Sequence, residues 1–329
     1  MQISERRMTK RRDGKPRYYR ACLMPAVIMM CPLRQYGVTV SSVVRFLFPR
    51  LDIRGAFVRL DDAWQAMLDK RGYPSAVESL LGELAATVAL IAAELKGQGR
   101  LTLQLKGEGP VSLLLVECDE TLRLRGMARA GVCPQDASVP ELLGVGKECA
   151  TGEAGQLLLT LAQDESFYQS IVPLAGESVA AIFNHYLTQS EQQEARLFLA
   201  ADKEVAAGLF LQKMPAADSM DADGWTRLTR LAATVRSEEL LELDAELLLF
   251  RLFAEDAVAE NDTGLLLFPA RTVSWHCPDN REKLVAMIKS WGRAEAEAIL
   301  TEQGVIEIQD EVGNRAYRFD ADAVARIFA

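Results

Sequence analysis

Apolar and polar positions along the chain fall into runs with a period of two and runs with a helical period. Ile53–Leu60 alternates as a strand, and Asp61-Asp62 supplies the N-cap of a helix carrying Met67 and Leu68. After a break at Gly72-Tyr73-Pro74, Ser75 opens a helix to about Lys96 that is apolar nearly all round, at Leu84, Ala85, Val88, Leu90, Ile91 and Ala92. A helix of this kind is expected to be buried on several sides. Residues 101–105 and 111–117 alternate on either side of the turn Lys106-Gly107-Glu108-Gly109-Pro110, which predicts a hairpin. Further strands are expected at 121–130, 157–161 and 168–174. Ser178 begins an amphipathic helix with Val179, Ile182, Phe183, Tyr186 and Leu187 on one side, and two paired strands follow at 196–200 and 208–213. The pattern predicts an α+β fold, a mixed or antiparallel sheet with helices packed on one face.

Met214-Pro215 closes this first domain, and the small, polar residues 216–222 read as a linker. Beyond them Trp225, Leu228, Leu231, Ala232 and Val235 share a helical face, and Asp244 caps a second helix containing Leu247, Leu248, Phe250, Arg251, Leu252 and Phe253. Two such helices are too few to hold a core alone, so they must dock on a neighbour and are candidates for conditional exposure. From Leu265 the pattern changes again. A strand-like run at 272–275 leads into His276-Cys277-Pro278-Asp279-Asn280, and a second at 305–308 leads into Gln309-Asp310-Glu311-Val312-Gly313-Asn314, with helices at 281–291 and 294–302 between them. A last strand at 316–319 and a helix after Asp320 complete the chain. The expected division is a basic, poorly ordered extension over 1–45, a sheet-and-helix domain over 46–215, a helical linker domain over 216–264 and a small α+β domain over 265–329.

At 329 residues with 49% hydrophobic and 25% charged content, the composition is that of a globular chain with room for two or three domains. Ten Lys and Arg against two acids give residues 1–45 a charge of +8, leaving −17 of the net −9 to the remainder. Nucleic-acid binding by that acidic body is therefore not expected. The head could instead serve as a basic arm, or as a secretory signal around Cys22 to Cys31, but no small-x-small cleavage site follows it. Its apolar stretches, like 84–95, are too short or interrupted to predict a membrane span. Six scattered cysteines, Cys22, Cys31, Cys118, Cys133, Cys149 and Cys277, fit free thiols in a reducing cytoplasm.

Signals of catalysis are thin, and no enzymatic activity is expected. Gly176-Glu177-Ser178-Val179-Ala180 approaches a nucleophile elbow without its second glycine, and Ser178 also suits a plain helix cap. The two histidines, His185 and His276, offer no obvious triad with it. Gly144-Val145-Gly146-Lys147 reads as a turn rather than a phosphate loop. Each tail strand-turn unit is placed where a small zinc domain carries Cys-x-Cys or Cys-x-x-Cys. Only Cys277 is present; His276, Asp279 and Asp310 are weaker donors, and no metal or other cofactor is expected. The tail then reads as a metal-free hairpin domain held by Trp275, Leu284, Ile288, Trp291, Ile306 and Phe319.

Several stretches together resemble the bacterial thirty-three-kilodalton heat-shock holdase family, the redox-regulated chaperonins. They include Phe48 with Ile53-Arg54-Gly55, Gln104 through Pro110, Arg125-Gly126-Met127-Ala128-Arg129, and Tyr186 with Ser190-Glu191-Gln192 and Arg196-Leu197-Phe198. The run from Ala206 to Pro215 and Ser237-Glu238-Glu239-Leu240-Leu241 extend the likeness, which covers everything but the basic head. The resemblance implies a stress-response chaperone of the cytoplasm that binds unfolded clients without ATP, often as a homodimer. It also implies a zinc held by four cysteines, whose oxidation expels the metal and unfolds tail and linker. In this sequence the four ligand positions fall on Cys277, Asp279, Asp310 and Gly313, so the disulfides of that switch cannot form. The expected function is a holdase with a degenerate switch, meeting clients through Trp225, Leu228, Leu231, Leu248, Phe250 and Phe253. The alternative is a scaffold that keeps the fold and serves a dedicated partner.

Overall fold

The computed structural model describes residues 19–20, 40–95, 99–134, 137–145, 155–163, 166–190, 194–257 and 264–329. Apart from Tyr19, Arg20 and residues 40–45, the basic extension lies outside them, as do Cys22, Cys31, Cys149, Gly146 and Lys147.

Two large antiparallel sheets face one another across a single helix. The first joins β1 (Tyr19–Arg20), β11 (Leu266–Leu267), β2 (Ser42–Phe48), β3 (Ile53–Leu60), β10 (Ala206–Lys213) and β9 (Ala195–Ala201) in that order, with β12 (Arg271–Thr272) also on β2. The second runs β13 (Ser274–Trp275), β6 (Arg123–Ala130), β5 (Val111–Asp119), β4 (Arg100–Lys106), β7 (Gln156–Gln163) and β8 (Ser166–Pro173). Only the short β13–β6 pair is parallel among the described ladders. Between the sheets lies α2 (Ser75–Glu94), preceded by α1 (Asp62–Leu68), and its Leu80, Leu81, Leu84, Val88 and Leu90 are almost wholly buried. By length and composition α2 could cross a bilayer, and it reaches further than the apolar stretch suggested. Its apolar surface is covered by strands of both sheets, which accounts for its all-round hydrophobicity.

Two expectations need correction. Helices cover both faces of the first sheet, since α6 (Gly224–Ala232), α7 (Ser237–Glu242) and α8 (Ala245–Ala257) pack on the side opposite α2. Along β10, Ala206 and Phe210 face α2, while Ala207, Leu209 and Leu211 face the linker helices. A strand buried on both sides reads as a continuous apolar run, as β10 does. The start of α1 also differs: Asp61 makes no capping bond and pairs instead with Arg59, while the Ser41 hydroxyl accepts from the amides of Asp61 and Ala63. Elsewhere the expected caps are present. Ser178 accepts from the Ala181 amide at the start of α4 (Val179–Ser190), and Asp244 from that of Leu247. Helices α3 (Val139–Leu143) and α5 (Ala217–Met220) are short additions, the latter within the presumed linker.

The tail contains α9 (Arg281–Trp291), α10 (Arg293–Gln303), the hairpin β14 (Ile306–Asp310) and β15 (Arg315–Phe319), and α11 (Ala321–Ile327). Its core is Ile288, Ala296, Ile306, Tyr317, Phe319, Ala323 and Val324, with Leu284 partly buried against it. Two residues expected there lie elsewhere: Trp275 packs on the core between the large sheets, and Trp291 is exposed. Within residues 266–275 the short strands β11, β12 and β13 belong to the large sheets, pairing with β2 and β6.

Candidate client surface and tail knuckle

The linker helices form a cover on an apolar sheet face. Trp225, Leu228, Leu248 and Phe253 are at most 6% exposed, and Leu231 is half-buried against the same cluster. Beneath them lie Phe46, Phe48, Ile53, Phe57, Leu209 and Leu211, with Phe253 edge-on to Phe48 at 5.4 Å between ring centroids. Phe250 points away and is 48% exposed, beside Leu247. The structure thus brings five of the six candidate residues together and leaves Phe250 outside. The sheet residues beneath them were missed. Their signal was legible in β3, where Ala56, Phe57 and Val58 are consecutive apolar positions with no polar side.

Polar ties hold this cover. The Trp225 indole N–H donates to Glu194 at 2.7 Å, and Lys213 reaches the same carboxylate at 2.9 Å. The Lys213 hydrogen bond, reinforced by Trp225, holds Glu194 below the usual carboxylate range. Arg227 joins α6 to Asp256 of α8 at 2.8 Å and to Asp221 at 3.1 Å. Arg251 meets Glu239 at 2.6 Å, and Arg59 of the sheet donates to the Leu241 carbonyl. Helix α8 breaks at Phe253, whose backbone leaves helical geometry at φ −128° and ψ 29°.

The two tail turns do converge, as their resemblance to a knuckle implies. A Cβ on Gly313 would fall 2.5 Å from Cys277 Sγ and 2.8 Å from Asp310 Oδ2, so these positions share one small space. The donors there do not suit tight zinc. Burial pushes the Cys277 thiol up, which disfavours the thiolate that a metal needs. Asp279 turns its carboxylate to the Arg281 amide at 2.9 Å, and Gly313 has no side-chain donor. Asp310 is engaged on both oxygens, by the Gly313 amide at 2.9 Å and Asn280 Nδ2 at 2.8 Å. Among the described residues no group of three His, Cys, Asp or Glu side chains is placed to hold a metal ion.

The other motifs resolve into structure. Ser178 caps α4, and His185 is exposed on that helix. His276 lines a cleft with Arg100, Glu117, Asp119, Arg123 and Arg125, of which Arg125 pairs with Glu117 and Arg123 with Asp119. Gly144, at φ 65°, closes α3 as a left-handed cap, its amide donating to Pro140.

Known proteins resemble this chain in sequence and in fold. The profile of the family described as Hsp33 protein matches residues 41–320. A 33 kDa chaperonin of Shewanella oneidensis is 39% identical over 294 residues, covering 89% of this chain and 97% of that protein. One from Chromobacterium violaceum is 38% identical over 291 residues, covering 88% and 94%. In fold, the crystal structure of the 33 kDa chaperonin of Thermotoga maritima superposes with a TM-score of 0.71 at 18% identity, over 87% of this chain and 97% of that one. With the profile spanning both large sheets, the linker cover and most of the tail, the chain belongs to the Hsp33 family of chaperones.

Proposed function

We propose that this protein is an ATP-independent holdase whose client surface is the sheet face now covered by α6–α8. The observation that carries this reading is the cover itself. Leu228, Leu248 and Phe253 are fully buried on the Phe46, Phe48, Ile53 and Leu209 face. Lifting the cover exposes both partners of that contact, a contiguous apolar patch of the kind that binds unfolded chains. The cover's rim is polar: Arg227, Arg251 and Arg59 supply ties that water can replace. Such an element separates more readily than α2, which has apolar contacts on all sides.

The client class is unfolded or partly folded polypeptide, and the working compartment is the bacterial cytoplasm. The protein needs no zinc or other cofactor, has no catalytic centre, and works as a monomer or a homodimer. Control through the thiols of the tail is lost, because three of the four family ligand positions are Asp279, Asp310 and Gly313. The test is suppression of citrate synthase aggregation by the purified protein, reduced and peroxide-treated, with zinc measured on the same sample. Heat-induced suppression that is equal in both samples supports the reading. No suppression at any temperature sinks it.

A second reading, a scaffold for a dedicated partner, is favoured by one observation. The outer strand β8 exposes Phe167, Tyr168 and Ile171, each more than half accessible. Pull-down from stressed cells separates the two: a holdase returns many unrelated aggregating proteins, a scaffold one or two.

A further inference from the structure

The second tail turn, residues 310–314, does more than close the knuckle. Three groups of the N-terminal domain converge on it. Arg71, between α1 and α2, donates from Nη1 to the Glu311 carbonyl and from Nη2 to the Val312 carbonyl, both at 2.9 Å. The guanidinium is pre-positioned, since Nε donates to the Met67 carbonyl at 2.8 Å and Nη1 also reaches the Tyr73 hydroxyl at 3.0 Å. Tyr73 in turn accepts from the Ala128 amide of β6 at 3.0 Å, so the anchor is part of the rigid sheet core. Asn314 Nδ2 donates to the Asp69 carbonyl at 2.7 Å, and Arg129 pairs with the Glu311 carboxylate at 2.6 Å.

The shape of the turn makes this docking possible. Asp310 accepts from the Gly313 amide and from Asn280 of the first turn, while the Asn280 amide donates to the Tyr317 hydroxyl at 2.9 Å. These bonds fix the loop so that two successive carbonyls present themselves to one planar fork, a geometry suited to arginine. A side chain at 313 would collide with Cys277 Sγ and with Asp310, so the glycine admits the carboxylate into the space between the turns.

We propose that the tail of this protein is a metal-free latch: Asp310 closes the two turns upon each other, and Arg71 with Asn314 seats the closed pair on the N-terminal domain. The latch is a set of hydrogen bonds, so it opens with heat or denaturant and is indifferent to peroxide and chelator. Its link to client holding rests on the function proposed above, whereas its existence does not.

Hydrogen exchange of the full-length protein, followed by mass spectrometry over peptides 306–319 and 100–119, tests it. Arg71→Met and Asp310→Ala should each accelerate exchange in 306–319 by about tenfold or more while leaving 100–119 unchanged. Should Arg71→Met disturb α1 and α2, Asn314→Gly keeps the left-handed backbone of that position, at φ 49°, and removes only the amide contact to Asp69. It should loosen the same peptides less. A strong chelator should change none of them. Unchanged tail exchange in both Arg71→Met and Asn314→Gly overturns the latch, and so does chelator-induced loosening with zinc found in the untreated protein. Aggregation suppression by the same variants is read separately. Its absence throughout counts against the holdase, while the exchange data still decide the latch.

Discussion

The first sheet is covered twice, and the two covers are built differently. On one side α2 lies between both large sheets, with Leu81, Leu84, Val88 and Leu90 shielded all round and Arg54–Glu94 as its ion pair near the C-terminal end. On the other side α6–α8 offer one apolar stripe to the sheet and water to the rest, and their edges are fastened by charged residues. Both bury comparable side chains, yet only the second can leave without opening the central core. Burial alone does not distinguish a helix of the central core from a cover on one sheet face; what lies behind the helix does.

The most demanding comparison sets Leu84→Ala against Phe253→Ala. Each removes a fully buried side chain and should cost about 3 kcal/mol in the element it belongs to. Leu84→Ala should lower the main thermal transition, whereas Phe253→Ala should leave that transition nearly in place and bring aggregation suppression to a lower temperature. Equal effects of the two on the main transition would erase the distinction between the covers.

A smaller effect reads the α2 side through pH. Burial pushes the Glu83 carboxyl from its ordinary 4.5 up to about 7. Below 4.5 it is protonated in both folded and unfolded chains and costs nothing; as pH rises from there towards 7 the unfolded state ionises first and stability falls. The full penalty is present above pH 7; the shift corresponds to about 3 kcal/mol at most, and water reaching the partly buried side chain reduces it. Glu83→Gln should therefore raise the denaturation midpoint at pH 8 and lose that advantage by pH 4. A gain equal at both values would refute the assignment.

On the linker side, Asp256→Asn breaks the Arg227 tie and should weaken the cover by about 1 kcal/mol, seen as faster exchange in α6 and α8 alone. The smallest effect belongs to the remaining tail thiol. Cys277→Ser should shift thermal stability by no more than about 0.5 kcal/mol and should leave the response to peroxide unchanged. A peroxide-induced gain in holding that disappears in this variant would restore a redox role to Cys277.

Much of this architecture could be read from periodicity. The β4–β5 hairpin, the all-round apolar α2, the caps at Ser178 and Asp244, and the helix after Asp320 followed from local rules. The strand β2 was missed because Arg45 interrupts its apolar run, and β11 because a two-residue strand carries no period, whereas the strand-like run at 272–275 resolves into the short β12 and β13. Of the candidate client residues, the helical stripe accounts for the five that pack on the sheet; Phe250 points to solvent, and hydrophobicity does not say on which side of α8 a ring points. Trp275 was assigned to the tail for its sequence position and belongs instead to the core between the sheets.

The sequence by itself determined the family and left Cys277 as the one cysteine of the tail, since these depend on residue identity and order alone. Only the tertiary structure decided that Phe46, Phe48 and Leu209 lie beneath the linker helices and that Asp310 engages Asn280 and Gly313 between the turns. Likewise, only the fold brings Arg71 to carbonyls 240 and 241 positions further along the chain. Contacts of that separation arise when independent elements pack, and no local pattern of hydrophobicity or charge encodes which carbonyl an arginine will meet.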